Sequence, residues 1–165
     1  MSVTMSPRRA IPVALMVLLL AGCATAPVQE AAPPTAVRGI IAGSQEDLVA
    51  NIGDRVFFDL DRADLAGRGP RTLNNAATLD RQAGWLTQFA GNNVMLAGNC
   101  DERGTTEFNL ALGQRRANTA RNYLLGKGIA GSRVATISYG KERPTTPGSD
   151  EDSWAQNRNA IMALR

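Results

Sequence analysis

The sequence predicts one α+β domain in which strands and helices follow one another in the order β-α-β-α-β-β. Short apolar runs of strand length alternate with longer segments whose apolar residues recur every three or four positions, as in amphipathic helices. This alternation implies at least one parallel strand pair joined by a right-handed crossover. A last strand reached without a long helix implies a mixed four-stranded sheet, with the helices on one face. A chain of 165 residues, 44% of them hydrophobic and 20% charged, is long enough for one such domain.

Four apolar runs have the length and composition of strands. The first follows a polar segment, the second directly precedes the most polar stretch of the chain, and the last two follow one another with only turn signals and a short helix between them. The four predicted strands are residues 55–58, 94–97, 134–139 and 160–164.

Two segments have helical periodicity, and a short third helix is predicted at 150–154. The first helix follows Pro70, a residue favoured near helix starts. The second helix begins at about Thr106, with Thr105 or Thr106 as its N-cap. Gly126 and Gly128 are expected to end that second helix. The apolar positions expected to face the sheet from the first helix are Leu73, Ala76, Leu79, Ala83, Leu86 and Ala90.

The first 22 residues are expected to be an export signal that is removed from the mature chain. Arg8 and Arg9 precede an apolar run at 11–21 that is too short to span a bilayer. The run ends in Leu-Ala-Gly-Cys, which is similar to a bacterial lipobox, so cleavage is predicted before Cys23 and lipidation on its thiol. An ordinary signal peptide cleaved at a small-residue site is the alternative interpretation.

Residues 23–45 are predicted to form a flexible linker, because they are rich in Ala and Pro, and the domain is predicted to occupy residues 46–165. Removal of the signal reduces 18 basic residues to 16, against 15 acidic ones, so the mature chain is nearly neutral and no nucleic-acid binding is predicted. If Cys23 carries lipid, Cys100 is a free thiol, and we expect it to pack as a small hydrophobic residue.

Charged and polar residues concentrate at 98–117, where the sequence reads G-N-C-D-E-R-G-T-T-E-F-N-L-A-L-G-Q-R-R-A. Asn109, Leu112 and Arg116 share one face of the predicted helix, and Asp101 lies just before its first turn. A carboxylate can bind an ammonium group, and an arginine can bind a carboxylate through two parallel hydrogen bonds, so the set suits an amino-acid headgroup. The alternative is that Asp101 and Arg116 pair with each other at the surface.

A second acidic segment, Asp59-Leu60-Asp61-Arg62-Ala63-Asp64, follows the first predicted strand. Three acids at this spacing suggest a calcium loop. However, Ala63 stands where an EF-hand has a ligand, and the sixth position is not glycine. No metal site or other cofactor is therefore predicted.

The run D-E-R-G-T-x-E-F-N-x-x-L-G-x-R-R-A closely resembles the OmpA-like, peptidoglycan-binding domain family. The resemblance covers residues 45–165 and implies the OmpA-like α+β fold, with a site that holds the meso-diaminopimelate of the cell-wall stem peptide without covalent chemistry. Matched by position, the implied ligand contacts include the backbone N–H groups of Leu60 and Asp61, and Asn109 is expected to brace the loop. The remaining implied contacts are Asp101, Leu112 and Arg116.

The resemblance also implies partners and a location. It indicates a lipoprotein of the outer membrane's inner leaflet that faces the periplasm, binds peptidoglycan and TolB, possibly also TolA, and belongs to the Tol-Pal system of envelope integrity and cell division. An OmpA-like lipoprotein that anchors a different envelope machine is one alternative. A wall hydrolase is another, and it would use two of the carboxylates of Asp59, Asp61, Asp101 and Glu102. The chain has no His, and no catalytic residue is predicted.

Three positions depart from the family pattern. Asn99 stands where many relatives have His, Cys100 replaces the usual Thr or Ala, and Asn159 occupies the place of the second Arg in Asn-Arg-Arg. The missing guanidinium at Asn159 is expected to change secondary contacts around the site.

Overall fold

A computed structural model describes residues 39–165. The predicted export signal, the lipidation site Cys23 and most of the predicted linker lie outside the described residues. Within the described range, no helix combines the length and the apolar character needed to cross a membrane.

Four strands form one mixed sheet with the spatial order β1-β4-β2-β3. β2 and β3 are parallel, with Val94 opposite Val134. β4 is antiparallel to both of its neighbours, so the last strand of the domain lies inside the sheet rather than at its edge. The predicted mixed sheet is confirmed. The strands are β1 (Arg55–Phe57), β2 (Val94–Asn99), β3 (Val134–Gly140) and β4 (Asn159–Leu164).

The two long helices are α2 (Asn75–Gln88) and α3 (Thr106–Gly126), which contact each other, and α3 also packs on β2 and β3. The predicted N-cap of α3 is confirmed, because the Thr105 hydroxyl accepts a hydrogen bond from the backbone N–H of Phe108 at 3.2 Å. A shorter helix, α4 (Glu151–Asn157), begins after the N-cap Asp150.

The predicted apolar face of α2 is wrong at its two ends. Leu73 lies before the helix and is 72% exposed, and Ala76 and Ala90 are also exposed. Polar residues occupy part of the buried face of α2 instead. Asn75 donates a hydrogen bond to the carbonyl of Phe57 and accepts one from its N–H, which satisfies backbone groups on the outer edge of the sheet.

The segment before β1 contains a short helix that was not predicted. It comprises α1 (Gln45–Asp47) and a π-helical turn (Leu48–Ile52). The Ser44 hydroxyl caps the N–H of Asp47, whose buried carboxylate accepts a hydrogen bond from the Trp85 ring N–H at 2.8 Å. The sequence signal for this helix was the capping pair of Ser44 and Asp47, three residues apart.

The apolar core lies between the long helices and one face of the sheet. On β2 and β4 the residues facing the helices are buried, apart from the partly buried Leu164 at the end of β4. The residues on the other face, Met95, Ala97, Ile161 and Ala163, are only partly buried. The main core residues are Leu48, Val56, Phe58, Leu79, Leu86, Val94, Leu96, Leu124 and Met162.

α3 approaches the end of β2 through two glycines. A side chain on Gly98 would overlap the backbone carbonyl of Gly113, and one on Gly113 would overlap the Ser138 hydroxyl. This direct backbone contact places the first turns of α3 against the carboxyl end of β2, where the polar stretch begins.

Candidate functional site

Arg116 lies at the centre of the polar stretch and is 0% exposed. Its guanidinium donates to three backbone carbonyls, those of Arg62 at 2.9 Å, Asp59 at 3.0 Å and Asn99 at 2.9 Å. It also donates to the thiol sulfur of Cys100 at 3.3 Å. Arg116 therefore joins the loop after β1 to the end of β2.

The charge on Arg116 has no carboxylate within salt-bridge distance among residues 39–165. Burial lowers the pKa of Arg116, but an arginine guanidinium stays protonated, and the carbonyls it contacts offset its charge. Its four hydrogen bonds leave one of the five guanidinium N–H groups without a partner among the described residues. The predicted alternative, a surface pair of Asp101 with Arg116, is wrong, because Asp101 pairs with other arginines.

Asp101 is 4% exposed and both of its oxygens accept hydrogen bonds. Oδ1 accepts from the backbone N–H and the Nε of Arg103, both at 3.2 Å, and Oδ2 accepts from Arg103 at 2.6 Å and Arg158 at 3.2 Å. Burial tends to raise the pKa of Asp101, but the hydrogen bonds from Arg103 and Arg158 outweigh that effect and lower it. The carboxylate is therefore ionised at neutral pH and held by two cations.

Arg103 and Arg158 connect the loop of Asp101 to α4. Arg158 is buried and bonds Glu151 at 2.8 Å, and the Arg103 guanidinium lies 4.1 Å from the centre of the Trp154 ring. The side chain of Arg103 is 34% exposed, so it is the accessible one of the two arginines. The sequence motifs contained Arg103 and Arg158 but gave no signal for their pairing with Asp101, because Arg158 is 57 residues away along the chain.

The loop after β1 presents two predicted contacts to solvent. Leu60 is 49% exposed, and Asp61 is exposed with a φ of 56°, in the left-handed region that Asp tolerates better than most residues. Within residues 39–165, neither the backbone N–H of Leu60 nor that of Asp61 donates a hydrogen bond. The N–H of Arg62 bonds the carbonyl of Asp59 at 3.2 Å and closes the turn.

Asn109 and Leu112 lie beneath the loops and are buried. The Asn109 amide donates to the carbonyls of Arg103 at 2.7 Å and Thr105 at 3.0 Å, so it holds the loop that carries Asp101. Leu112 lies one helical turn before Arg116 on α3 and is 2% exposed. The structure thus brings all six predicted site residues to one end of the sheet, four of them buried.

Two of the departures from the family pattern contact each other. The Asn99 amide donates to the side-chain oxygen of Asn159 at 2.8 Å, and the Asn159 amide donates to the carbonyl of Gln156 at 2.6 Å. Both asparagines are buried, and the Asn159 amide also donates to the Thr145 hydroxyl at 3.1 Å, so the polar atoms of Asn159 are satisfied in the absence of the family's Arg.

The third departure, Cys100, is a buried free thiol, as predicted. Burial raises the pKa of Cys100, which keeps the thiol protonated, and Sγ donates to the carbonyl of Asn109 at 3.4 Å. Cys100 therefore packs between α3 and β2 as a weak donor and acceptor.

The site does not favour acid-base chemistry. A general acid of a glycosidase needs a raised pKa, whereas the pKa of Asp101 is lowered and its oxygens are occupied by arginines. Glu102 accepts a hydrogen bond from the Trp154 ring N–H at 3.0 Å. In the described part of the chain, no three His, Cys, Asp or Glu side chains are grouped so as to hold a metal ion.

Comparison with known proteins identifies the family to which this fold belongs. The OmpA family matches residues 57–158, and the chain belongs to that family. Its similar relatives include the peptidoglycan-associated lipoproteins of Rhizobium meliloti and Mesorhizobium japonicum. The first is 43% identical over 91% of this chain and 84% of the relative, and the second is 44% identical over 95% and 92%.

Solved structures place the described domain in the same family. The crystal structure of the peptidoglycan-associated lipoprotein from Burkholderia pseudomallei is 38% identical, covers 68% of this chain and 90% of its own, and has a TM-score of 0.61. The C-terminal domain of Helicobacter pylori MotB is 16% identical with a TM-score of 0.56, covering 68% of this chain and 85% of its own, a likeness that concerns the fold alone.

Proposed function

We propose that this chain is an outer-membrane lipoprotein that binds peptidoglycan without catalysis and thereby holds the outer membrane to the cell wall. The similarity to peptidoglycan-associated lipoproteins, at 43% to 44% identity over more than nine tenths of the chain, supports this function. Lipid on Cys23 anchors the chain in the inner leaflet of the outer membrane, and the part of the predicted linker that precedes the α1 N-cap, Ser44, lets the domain reach the wall.

The ligand of the site is the meso-diaminopimelate of the stem peptide. Its distal centre carries an ammonium and a carboxylate on one carbon, so it needs an acceptor and a donor set side by side. Asp101 takes the ammonium, and the free N–H groups of Leu60 and Asp61 take the carboxylate. The observation that most supports this assignment is that these two N–H groups have no partner in residues 39–165 and lie in a loop tied to the buried charge of Arg116.

Arg116 acts mainly through the loop in this proposal. It is fully buried, and most of its donors bind carbonyls, so at most one N–H can reach the ligand carboxylate. Its charge lies behind the Leu60 and Asp61 amides and favours an anion there. Asn109 holds the facing loop, and Leu112 supports both loops from below.

The ligand ammonium takes the place of Arg103 on Asp101. Arg103 is the more exposed of the two arginines, and it retains Trp154 and Glu151 as partners when it leaves the carboxylate. Arg158 is buried and stays on Asp101, which keeps the carboxylate oriented.

Family resemblance indicates TolB as the protein partner, with TolA as a second candidate, within the Tol-Pal system. The alternative, an anchor for a different envelope machine, keeps the same ligand chemistry and differs in its partners.

Calorimetry with a soluble chain starting at Ala24 tests the wall-binding proposal. A stem peptide with meso-diaminopimelate is expected to bind, and the matched peptide with lysine is expected to bind at least tenfold more weakly, because lysine lacks the distal carboxylate. Equal binding of the two peptides, or no binding of either by the folded protein, would refute the assignment.

A further inference from the structure

A small cavity lies beside the proposed diaminopimelate site, between the loop at 141–149 and α4. Its volume is about 210 Å³, below the range of roughly 300 to 1,000 Å³ of sites that enclose drug-sized ligands. It therefore suits a single ring rather than an extended molecule. Trp154, Glu102 and Lys141 line it together with a wall made by Pro144, Thr146 and Pro147.

Trp154 supplies the aromatic side chain among the residues that line this cavity. Arg103 lies over one face of its ring at 4.1 Å and does not line the cavity, so a stacked ligand would use the opposite face. The bond from the ring N–H to Glu102 at 3.0 Å fixes the orientation of the ring. An indole face is electron-rich and attracts the weakly positive C–H groups on one face of a saturated ring.

The charged groups of the cavity are one anion and one cation, beside the neutral polar side chains of Thr146, Ser149 and Asn157. Glu102 has a carboxylate oxygen that is not used by Trp154, and the Lys141 ammonium spends one of its three N–H groups on the carbonyl of Gly104 at 2.7 Å. A free acceptor beside free donors suits a neutral ligand with hydroxyl and amide groups, since a charged ligand would meet one like charge.

We propose that this cavity binds one N-acetylated sugar of the wall glycan, stacked on Trp154 and hydrogen-bonded by Glu102 and Lys141. The inference rests on the proposed function, because it assumes that the stem peptide lies at Asp101. Glu102 is the next residue after Asp101, and the link from the distal centre of diaminopimelate to the sugar comprises the diaminopimelate side chain and two amino acids, which alone reach about 7 Å when extended at roughly 3.5 Å each. The peptide and its sugar can therefore occupy both places at once.

The test compares a diaminopimelate stem peptide with the same peptide attached to its N-acetylated sugar. Calorimetry on the chain starting at Ala24 is expected to show that the sugar strengthens binding by about five- to tenfold, the range expected of one aromatic contact. In Trp154→Leu this gain is expected to vanish. Phe108→Leu, which removes an exposed aromatic residue outside the cavity, is expected to retain the gain.

The ratio of the two affinities separates this inference from the proposed function. Any effect of Trp154→Leu on Arg103 and Asp101 changes binding of both ligands and cancels in the ratio. Equal affinities in the unmodified protein, or a gain that survives Trp154→Leu, overturn the sugar site while peptide binding stands. Absence of binding by the bare peptide overturns the proposed function and this inference with it.

Discussion

The two loops that form the proposed site are held in opposite ways. The loop at 59–62 is bound through its carbonyls by one buried cation, Arg116, and keeps two N–H groups free. The loop at 101–104 is bound through a side-chain carboxylate, Asp101, which two arginines occupy. In the proposed site the first loop offers its N–H donors as they stand, whereas Asp101 in the second loop exchanges Arg103 for the ligand ammonium.

The difference shows that a charged residue in a binding motif can act in two ways. It can hold backbone groups in position, or its own charge can interact with the ligand. Arg116 fixes the position of neutral amides, so its removal alters shape first. In the proposed site Asp101 is itself the acceptor, so its removal is expected to alter electrostatics first. The following substitutions separate these two roles, beginning with a change that disturbs both loops.

Gly98→Ala is expected to have the largest effect, because it disturbs the contact of α3 with β2 on which both loops depend. The added methyl meets the backbone carbonyl of Gly113, which no side-chain rotation can relieve. We expect a loss of more than about 3 kcal/mol of unfolding free energy, measured by urea denaturation. Gly126→Ala, where nothing lies near the added methyl, is the control, and similar losses in both variants would contradict the close-packing explanation.

Arg116→Ala is expected to cost about 3 kcal/mol, because three backbone carbonyls lose their charged donor. Diaminopimelate binding is expected to be lost. The backbone NMR chemical shifts of residues 59–62 in the ligand-free protein are expected to change, because the loop loses its brace. The neighbouring Arg115→Ala is exposed and is expected to change neither property. Loss of binding with unchanged shifts of this loop would indicate a direct ligand contact instead of a brace.

Asp101→Asn is expected to cost about 2 kcal/mol, since Arg158 keeps a polar neighbour but loses a buried counter-ion. Binding of the ligand ammonium is expected to fall at least tenfold, while the shifts of residues 59–62 stay unchanged. Glu107→Gln, an exposed acid on the first turn of α3, serves as the control. Undiminished binding in Asp101→Asn would remove Asp101 from the site.

The pH dependence of stability gives a further test of the role of Asp101. Because the pKa of Asp101 is lower in the folded state than the unfolded value of about 3.9, its contribution to stability is complete above that value and is lost as the pH falls through the folded-state pKa. The stability difference between the unmodified chain and Asp101→Asn is therefore expected to shrink below about pH 4. Denaturation midpoints across pH 2 to 6 measure it, and a constant difference would contradict this account.

The smallest effect is expected from the asparagine pair at the end of β2. Asn99→Ala removes one buried amide contact with Asn159, at a cost of about 1 kcal/mol. A double-mutant cycle with Asn159→Ala measures the coupling, and additive losses would show that the two amides do not support each other.

Local sequence patterns were sufficient to predict the sheet class, the position of α3 and its N-cap, because these depend on residues close together in the chain. They failed for the face of α2, where Asn75 turns inward to bond the edge strand β1, a partner 18 residues away. Resemblance to the family, rather than pattern, supplied Leu60 and Asp61.

The electrostatic state of the site could not be predicted. The spacing of Asp101 and Arg116 suggested a mutual pair, but the pairing is decided by Arg158, which reaches Asp101 only once α4 and β4 have folded against the sheet. Burial of Arg116 likewise depends on the close contact between Gly98 and Gly113.

The interior position of β4 bears on when the domain can fold. β4 separates β1 from β2, so the sheet cannot close until residues 159–164 are available, and Arg55 pairs with Ile161 across most of the domain. Contacts so distant along the chain form slowly. A nascent polypeptide therefore cannot complete the sheet before residues 159–164 have been synthesised.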